Sequence, residues 1–465
     1  MLTNLNWLQS GSPYPPASEK GRIERYKLHE KLFLTKHTEA WQTAFAELSR
    51  RYRLSTWDVN TVFNYHQLLS KKIADFVCAE PPTFETGGQT DELLKILNRQ
   101  RFAAKLYEAI IDVSRYGDAV LKIVGKGLTI ASPMYWFPIV APNDLKTVTQ
   151  HVIAYPITPD AQGAMTELYV EIHSIGQIEQ RTYAYDEKRQ EIGALKETKT
   201  NQTGLQDFAV QVLTNVTHSG SIYGLDDYEI INSIVAKIMW RLHRADAILD
   251  KHSDPSMSGP ASALSYDERS GLWYVNLGNY FKRETKDDPD ISYVTWDGNL
   301  GDNWKEIELL LNQLYILTEM GQAFIEGGGG GSAQSGTALK LKMVSPRVKA
   351  ARIAGMNAGT VKTIVSLLAQ VNGITLDYDT LTITWHDGLP DDPVEQVNML
   401  TTATGGKPIM SQYSALKQLG LTDKEVEEEM EQLREEQATS TPFPLGVIDV
   451  NGDKEPEAED AEVLE

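Results

Sequence analysis

The sequence predicts an α+β chain, and three observations carry the prediction. Residues 18–116 show helical hydrophobic spacing, whereas residues 119–213 switch to short β-branched and aromatic runs separated by turn residues. Two long helical patterns, 226–250 and 303–324, then enclose a compact segment, and a glycine run follows them. With 465 residues, 41% hydrophobic and 23% charged, the chain is long enough for several domains with a sizeable core.

Taken in order, residues 1–17 are rich in Ser, Pro and Asn and are expected to form a flexible or partner-bound arm. Ile23, Tyr26, Leu28 and Leu32 precede Trp41, Phe45 and Leu48 in a helical stretch over 18–49. A helix from Val59 to Cys78 should stop at Glu80-Pro81-Pro82, because the residue before proline is pushed out of the helical region. Asp91 can cap a helix whose apolar positions, from Leu93 to Val113, run to the Tyr116-Gly117-Asp118 break. Ala119–Val124, Gly127–Ile130, Tyr135–Val140, Thr149–Tyr155 and Leu168–Ser174 then read as an antiparallel meander, extended by Arg181–Tyr185 and Phe208–Leu213.

Asp226–Asp250 carries a broad apolar face, and at 1.5 Å per residue such a helix is about 38 Å long. Between Ser253 and Gly301 two strand-like pieces, Leu272–Val275 and Ile291–Trp296, sit among Gly, Pro and Asp turns; about 50 residues cannot build a confident independent core. Asn303–Phe324 is the second rod. The run GGGGGSAQSG (Gly327–Gly336) has little side chain to bury and forfeits the most entropy on ordering, so it reads as a mobile loop between rods. A helix over Lys349–Gln370 follows, then a strand at Leu381–Trp385 expected to rejoin the earlier sheet. Pro393–Ala403, Ser411–Leu419 and Asp423–Gln437 are short helices, the last opened by Thr422 with Glu425 three residues on. From Ser440 the chain is Pro, Gly and acid, and reads as disordered.

Several function classes are disfavoured. The single cysteine, Cys78, excludes an intramolecular disulfide and a cysteine-rich zinc site, and beside Phe76 and Val77 it reads as a buried apolar residue. No run approaches about 18 apolar residues and the N-terminus lacks a signal-peptide pattern, so a soluble chain without a membrane partner is expected. Gly331 and Gly336 have phosphate-loop spacing, but Thr337 and Ala338 stand where Lys and Ser/Thr would touch phosphate and magnesium. The histidines (29, 37, 66, 151, 173, 218, 243, 252 and 386) are scattered, with no H-E-x-x-H and no G-x-S-x-G, and Asp377/Asp379 and Asp391/Asp392 read as turn and helix-start residues. No catalytic residue, metal site or cofactor is assigned, and an enzyme is not expected. The formal charge is −20; residues 421–465 carry 16 acids against three bases, which leaves −7 on the first 420 residues. A net-acidic chain does not wrap nucleic acid by counterion release, although loose passage of DNA is compatible with that sign.

The order of these stretches resembles the portal proteins of tailed double-stranded DNA bacteriophages. The resemblance is carried by Glu80-Pro81-Pro82, by the helix into Tyr116-Gly117-Asp118-Ala119, and by Tyr135–Ile139 with the Asn-Asp turn after it. It continues through SGTALK (Ser335–Lys340), the strand LTITW, GGKPIMSQYSAL (Gly405–Leu416) and the acidic helix DKEVEEEMEQLREE, and spans most of residues 20–437. It implies a portal-type fold: a wing at 18–225, a first stem helix at 226–252, a clip at 253–301, a second stem helix at 302–326 and a tunnel-loop region at 327–345. A long wing helix and returning strand at 346–390, crown helices at 391–439 and an acidic tail at 440–465 complete it. The implied role is a ring, usually dodecameric, at one capsid vertex of the virion, with assembly in the host cytoplasm. DNA passes through it during packaging and ejection, and terminase, head-tail adaptor, major capsid and scaffolding proteins are its partners.

The site residues this implies are of three kinds. Gly327, Gly328, Gly329, Gly330, Gly331, Ser332, Gln334, Lys340 and Lys342 are the tunnel-loop candidates; the alternation of Lys340 and Lys342 with Leu339 and Leu341 also fits an ordinary half-exposed extended segment. Lys237, Arg241 and Arg244 are the stem-channel candidates, and also fit a solvated face or interchain salt-bridge partners. Trp273, Tyr274 and Tyr280 are clip-interface candidates, or core aromatics. The competing reading is an acidic scaffold or adaptor whose tail recruits a basic partner.

Overall fold

Alternation of apolar residues along Leu168, Val170 and Ile172 forces one side of that strand inward, and the neighbouring strands obey the same period. In the computed structural model β1 (Thr83–Glu85) precedes this region, and β2 (Asp118–Val124) and β3 (Gly127–Ala131) open it. β4 (Trp136–Ala141), β5 (Asp144–Ile157), β6 (Glu167–Ser174), β7 (Gln177–Asp186) and β8 (Glu191–Gln202) form one five-stranded antiparallel meander in sequence order. The structure describes all residues except 35–37, 52, 54–61, 79, 159–165, 254–256, 259–263, 276–286, 288–291, 294–299, 322–342, 387–392, 406–408, 420 and 440–465. The chain divides into two units, Met1–Gly388 and Leu389–Glu465.

One face of the meander buries Phe137, Ile139, Val152, Ala154, Leu168, Val170 and Ile172 against the N-terminal segment and the first helix. The expected arm at 1–17 is therefore a correction. Leu8 and Tyr14 are buried, Leu2 bridges Ile139, Pro13 bridges Glu191, and the Tyr14 hydroxyl donates to Ala154 O at 2.5 Å. Each fully buried large apolar side chain is worth about 1.5–3 kcal/mol relative to exposure, enough to hold a polar-looking segment that carries Leu2, Leu5, Trp7, Leu8 and Tyr14. Strand β8 escapes the sequence reading because it is an edge: only Ile192 is buried, so its sequence shows no alternation. The second sheet has the order β3-β2-β9, with β9 at Val210–Thr214.

The helices α1 (Lys20–Phe33), α2 (Thr38–Arg51) and α3 (Tyr65–Cys78) precede the sheets; the expected start of the third at Val59 falls outside the described residues. The single helix expected over 91–116 is two, α4 (Thr90–Arg99) and α5 (Phe102–Tyr116), because Arg101 takes a left-handed φ of 52° between them. Cys78 is half-buried, and burial pushes its thiol up to about 12.

Two long helices, α6 (Asn232–Ser253) and α7 (Gly301–Leu317), pack on each other, and α8 (Val344–Val371) lies against β9 and α3. Between α6 and α7 come β10 (Met257–Ser258), β11 (Leu264–Asp267), β12 (Leu272–Val275) and β13 (Ser292–Tyr293), in two two-stranded pairs. The second rod ends at Leu317, short of the expected Phe324, and residues 322–324 lie outside the described residues. Asn357 of α8 ties to the last residue of β9, its amide accepting from Thr214 N–H and donating to Thr214 O, both at 2.8 Å. The late strand β14 (Thr382–Thr384) does not rejoin a wing sheet; it pairs antiparallel with β1, a three-residue strand too short to leave a periodic signal. In the second unit α9 (Pro393–Thr404), α10 (Gln412–Gln418) and α11 (Asp423–Thr439) follow the expected order, and Thr422 and Glu425 cap reciprocally: Thr422 N–H donates to Glu425 Oε2 at 2.8 Å and Glu425 N–H to Thr422 Oγ1 at 3.5 Å. The expected disordered tail lies outside the described residues.

The chain leaving α5 meets the segment that leads into α6 at two glycines. A Cβ built on Gly117 would stand 2.3 Å from Gly224 O, and one on Gly224 only 2.0 Å from Gly117 O. Beside them Asp118 is fully buried, accepting from Gly224 N–H at 2.9 Å and from the Tyr26 hydroxyl at 3.1 Å; burial raises its carboxyl to about 7. Gly224→Ala should therefore cost about 3 kcal/mol or more through backbone displacement. Gly21→Ala, at an open helical position, should change stability by no more than about 1 kcal/mol and in the favourable direction. Urea midpoints of the two variants against wild type check this; equal midpoints would mean the junction yields freely.

Candidate functional site: the two-helix stem and its socket

The stem begins in a turn with two adjacent carboxylates, Asp226 and Asp227. Asp226 Oδ1 accepts from the N–H groups of Tyr228 (3.1 Å) and Glu229 (2.8 Å), so its side chain closes the turn that starts the stem. Its other oxygen lies 3.3 Å from Arg25 Nε of α1. Tyr228 is fully buried between the rings of His29 and His66, at 5.3 and 4.9 Å, and its hydroxyl lies 2.8 Å from Ser70 Oγ, which donates to Ser114 Oγ at 3.1 Å. Both histidines are neutral at pH 7, because burial lowers His29 to about 4 and His66 to about 3. They act as hydrogen-bonding spacers: His29 Nδ1 is 2.9 Å from Arg115 O, and His66 Nε2 is 2.9 Å from Asn232 Oδ1. Arg51 of α2 pairs with Glu229. Four helices, α1, α2, α3 and α5, thus grip one turn.

The same turn is held from the other side by α8. Lys349, with only 3% of its surface exposed, donates to Asp227 Oδ1 at 2.8 Å and to Thr318 O at 3.0 Å, joining the start of one stem helix to the end of the other. Glu319 then takes a left-handed φ of 60°, a conformation that costs a non-glycine residue energy unless its surroundings hold it. Here Arg352 forks onto both its carboxylate oxygens at 3.0 and 2.6 Å, and Ser345 Oγ donates to its carbonyl at 3.0 Å. The Arg352 hydrogen bonds hold the Glu319 carboxyl below its usual range.

Further along the stem, two of the three channel candidates point at the facing helix. Lys237 Nζ lies 3.0 Å from Glu306 Oε1 and Arg241 Nη2 lies 2.6 Å from Glu306 Oε2, so one carboxylate of α7 bridges two cations of α6. The Lys237 hydrogen bond, followed by that from Arg241, lowers the Glu306 carboxyl, with its slight burial opposing. Arg241 also lies over the Trp240 ring at 4.7 Å. Arg244, one turn on, is exposed. The apolar side of the hairpin is divided: Val235, Ile238, Met239, Ile307 and Leu314 are buried, whereas Leu249, Trp304, Leu309 and Ile316 remain exposed.

Between α6 and α7 in the chain, β11 and β12 form a hairpin closed at Gly271, whose φ of 69° suits glycine, and Asp267 accepts from Arg269 N–H and the Ser270 hydroxyl. Trp273 stands opposite Tyr266 with ring centroids 5.1 Å apart, yet 66% of Trp273 is exposed, as are half of Tyr274 and Tyr266. The hairpin thus presents aromatic surface outward instead of burying it. Tyr280 lies outside the described residues, and so do all nine tunnel-loop candidates, Gly327 to Gly331, Ser332, Gln334, Lys340 and Lys342.

Residues 207–442 match the model of the family described as phage portal protein, SPP1 Gp6-like. This chain belongs to that family. The match begins just before β9 and takes in α6, α7, the strands between them, α8 and the helices of the second unit. No curated protein matches the chain. Among solved structures, the neck of a native gene transfer agent particle with C12 symmetry contains a chain of 10% identity, matched over 89% of this chain and 97% of that one with a TM-score of 0.47. The neck of the empty particle with C6 symmetry gives 14% identity, 81% and 94% coverage and a TM-score of 0.45. The virion of the native particle gives 13%, 81%, 93% and 0.44.

For this portal protein, the sequence reading singled out Lys237 and Arg241 as channel candidates, where the structure shows them paired with Glu306, and named neither Glu306 nor the roles of Lys349 and Glu319. Glu306 lies three residues after Asn303 in a stretch read only for its apolar positions, so no local pattern marks it as the partner of residues about 65 positions earlier. The helix expected from Asp226 starts only at Asn232, because Asp226 engages its side chain in closing the turn ahead of it. Replacing Lys349 by Met keeps the aliphatic stem but leaves Asp227 and Thr318 O buried without their cation, which should cost about 3–5 kcal/mol. Arg352→Gln, at a half-exposed pair, should cost about 1 kcal/mol or less. Urea unfolding of both variants checks the order, and an Arg352→Gln loss equal to that of Lys349→Met would contradict it.

Proposed function

We propose that this portal protein assembles into a dodecameric ring at one capsid vertex, through which double-stranded DNA passes during packaging and ejection. In this reading the ring is docked by the terminase motor and later by the head-tail adaptor, meets major capsid and scaffolding proteins as it assembles in the host cytoplasm, and carries out no chemistry itself. The observation that supports it best is the stem. A family-matched pair of helices, socketed at its base, keeps Leu249, Trp304, Leu309 and Ile316 out of the chain's own core. Apolar residues on both helices of a rigid hairpin gain burial when identical hairpins pack side by side, and rotation of one contact around an axis closes a ring. The aromatic surface of the clip hairpin, centred on Trp273, suits a protein partner, since exposed aromatics are enriched at interface cores.

Native mass spectrometry with negative-stain imaging of the purified full chain tests this. Rings with a central hole and a mass near twelve subunits are expected. A clean monomer at every salt concentration would count against the ring and favour the acidic adaptor. Within the ring reading, shortening the run Gly327–Gly331 should leave assembly intact and reduce packaged DNA, as measured by nuclease-protected genome per particle. Loss of the ring itself would remove any separate role for the run.

A further inference from the structure

The three cations that the portal reading assigns to the channel are not equally available. Lys237 and Arg241 sit one turn apart on α6, and both direct their charged ends at Glu306 of α7, at 3.0 and 2.6 Å. The side chains of all three remain between 29% and 46% exposed, so the group is in reach of solvent and of anything the stem faces. Two positive charges against one negative leave a net of +1 for the trio. The same bridge lacking its carboxylate would present +2, with both cationic groups released from their present direction.

We propose that Glu306 limits the free positive charge that the stem offers: in each subunit it cancels one of two cations, so that passing DNA meets fewer free cations and slides without being held. This inference rests on the portal reading, because it requires the α6 cations to face the DNA path. Its physical basis is independent of that reading. Each phosphate neutralised by a free cation releases condensed counterions, and the affinity for duplex DNA then falls with salt concentration by a slope of about 0.9 per contact. A conduit needs few such contacts, since every one must be broken as the DNA advances. A bridging carboxylate lowers their number while keeping the cations that tie the two stem helices together.

The test is the salt dependence of binding of a short linear DNA duplex to the full-length ring, followed by fluorescence anisotropy, with assembly checked in parallel by negative stain. Glu306→Gln should steepen the slope by about 0.9 for each subunit in contact with a phosphate, and Glu306→Asp, which keeps the charge, should restore the wild-type value. Arg241→Gln leaves Lys237 and Glu306 as a neutral pair, and should make the slope shallower by about 0.9 per contacting subunit. That variant keeps the inference testable if Glu306→Gln fails to assemble. A purely structural bridge would move thermal stability in these variants but not the salt slope. Intact rings with an unchanged slope in Glu306→Gln and Arg241→Gln would overturn the role of Glu306 and leave the ring standing. A wild-type chain that forms no ring would remove both.

Discussion

Everything distinctive about this fold depends on how the turn at Asp226 and Asp227 is held. A helix of 22 residues is about 33 Å long, so a small angular error at its base becomes a large displacement at its tip. Apolar packing alone is non-directional and would tolerate such an error. The socket adds direction: Asp226 closes the turn, Tyr228 fills the space between two neutral histidines, and Lys349 fixes Asp227 and Thr318 together. Because Lys349 joins the start of α6 to the end of α7, the two stem helices share one fixed base. Breaking a buried charge pair of this kind is far costlier than losing a surface one, so these contacts specify geometry where the exposed pair at Glu306 can be tuned.

The socket also crosses the boundary of the family match. Asp226, Asp227, Tyr228 and Lys349 lie within residues 207–442, whereas Arg25, His29, Arg51, His66, Ser70 and Ser114 come from helices that precede it. The base of α6 is thus gripped by helices from a part of the chain that the family model does not span. A socket needs only donors and acceptors at the right places, and many side-chain combinations can supply them. The close approach of Gly117 and Gly224 belongs to the same joint, since any side chain there would push the end of α5 away from the segment that leads into α6.

Much of this was legible in the sequence wherever a period was strong. The meander of β4 to β7, the bodies of α6 and α7 though not the start of one or the end of the other, α8 and the capping box at Thr422 follow from alternation, helical spacing and known end signals. What escaped has physical reasons. β8 is an edge with one buried residue, β1 and β14 are three residues each, and Arg101 breaks a helical pattern through its backbone alone, with no glycine or proline to announce it. The N-terminal segment looks polar because its apolar residues are spaced by turns and lie against a sheet formed 130 residues later. Of the site, the cations Lys237 and Arg241 were visible but their common partner was not, because a carboxylate on a second helix is adjacent only once the hairpin has formed.

Under the proposed function, that pairing bears on how an acidic chain lets DNA pass. Counterion release scales with the number of cations able to reach phosphate, not with the net charge alone. In this chain many cations are engaged at home: Arg22 with Glu19, Arg115 with Asp112, Lys122 with Glu171, Lys196 with Glu167, Lys349 with Asp227 and Arg352 with Glu319, besides the two on Glu306. Arg22 and Lys349 are buried and committed to the fold, so they cannot turn outward without breaking it. Those on the stem, like Lys196 and Arg352, are solvent-accessible, and the one carboxylate that Lys237 and Arg241 share neutralises them only in part. A surface built this way attracts a polyanion weakly at any one point, which is the electrostatic condition for movement along it instead of arrest upon it.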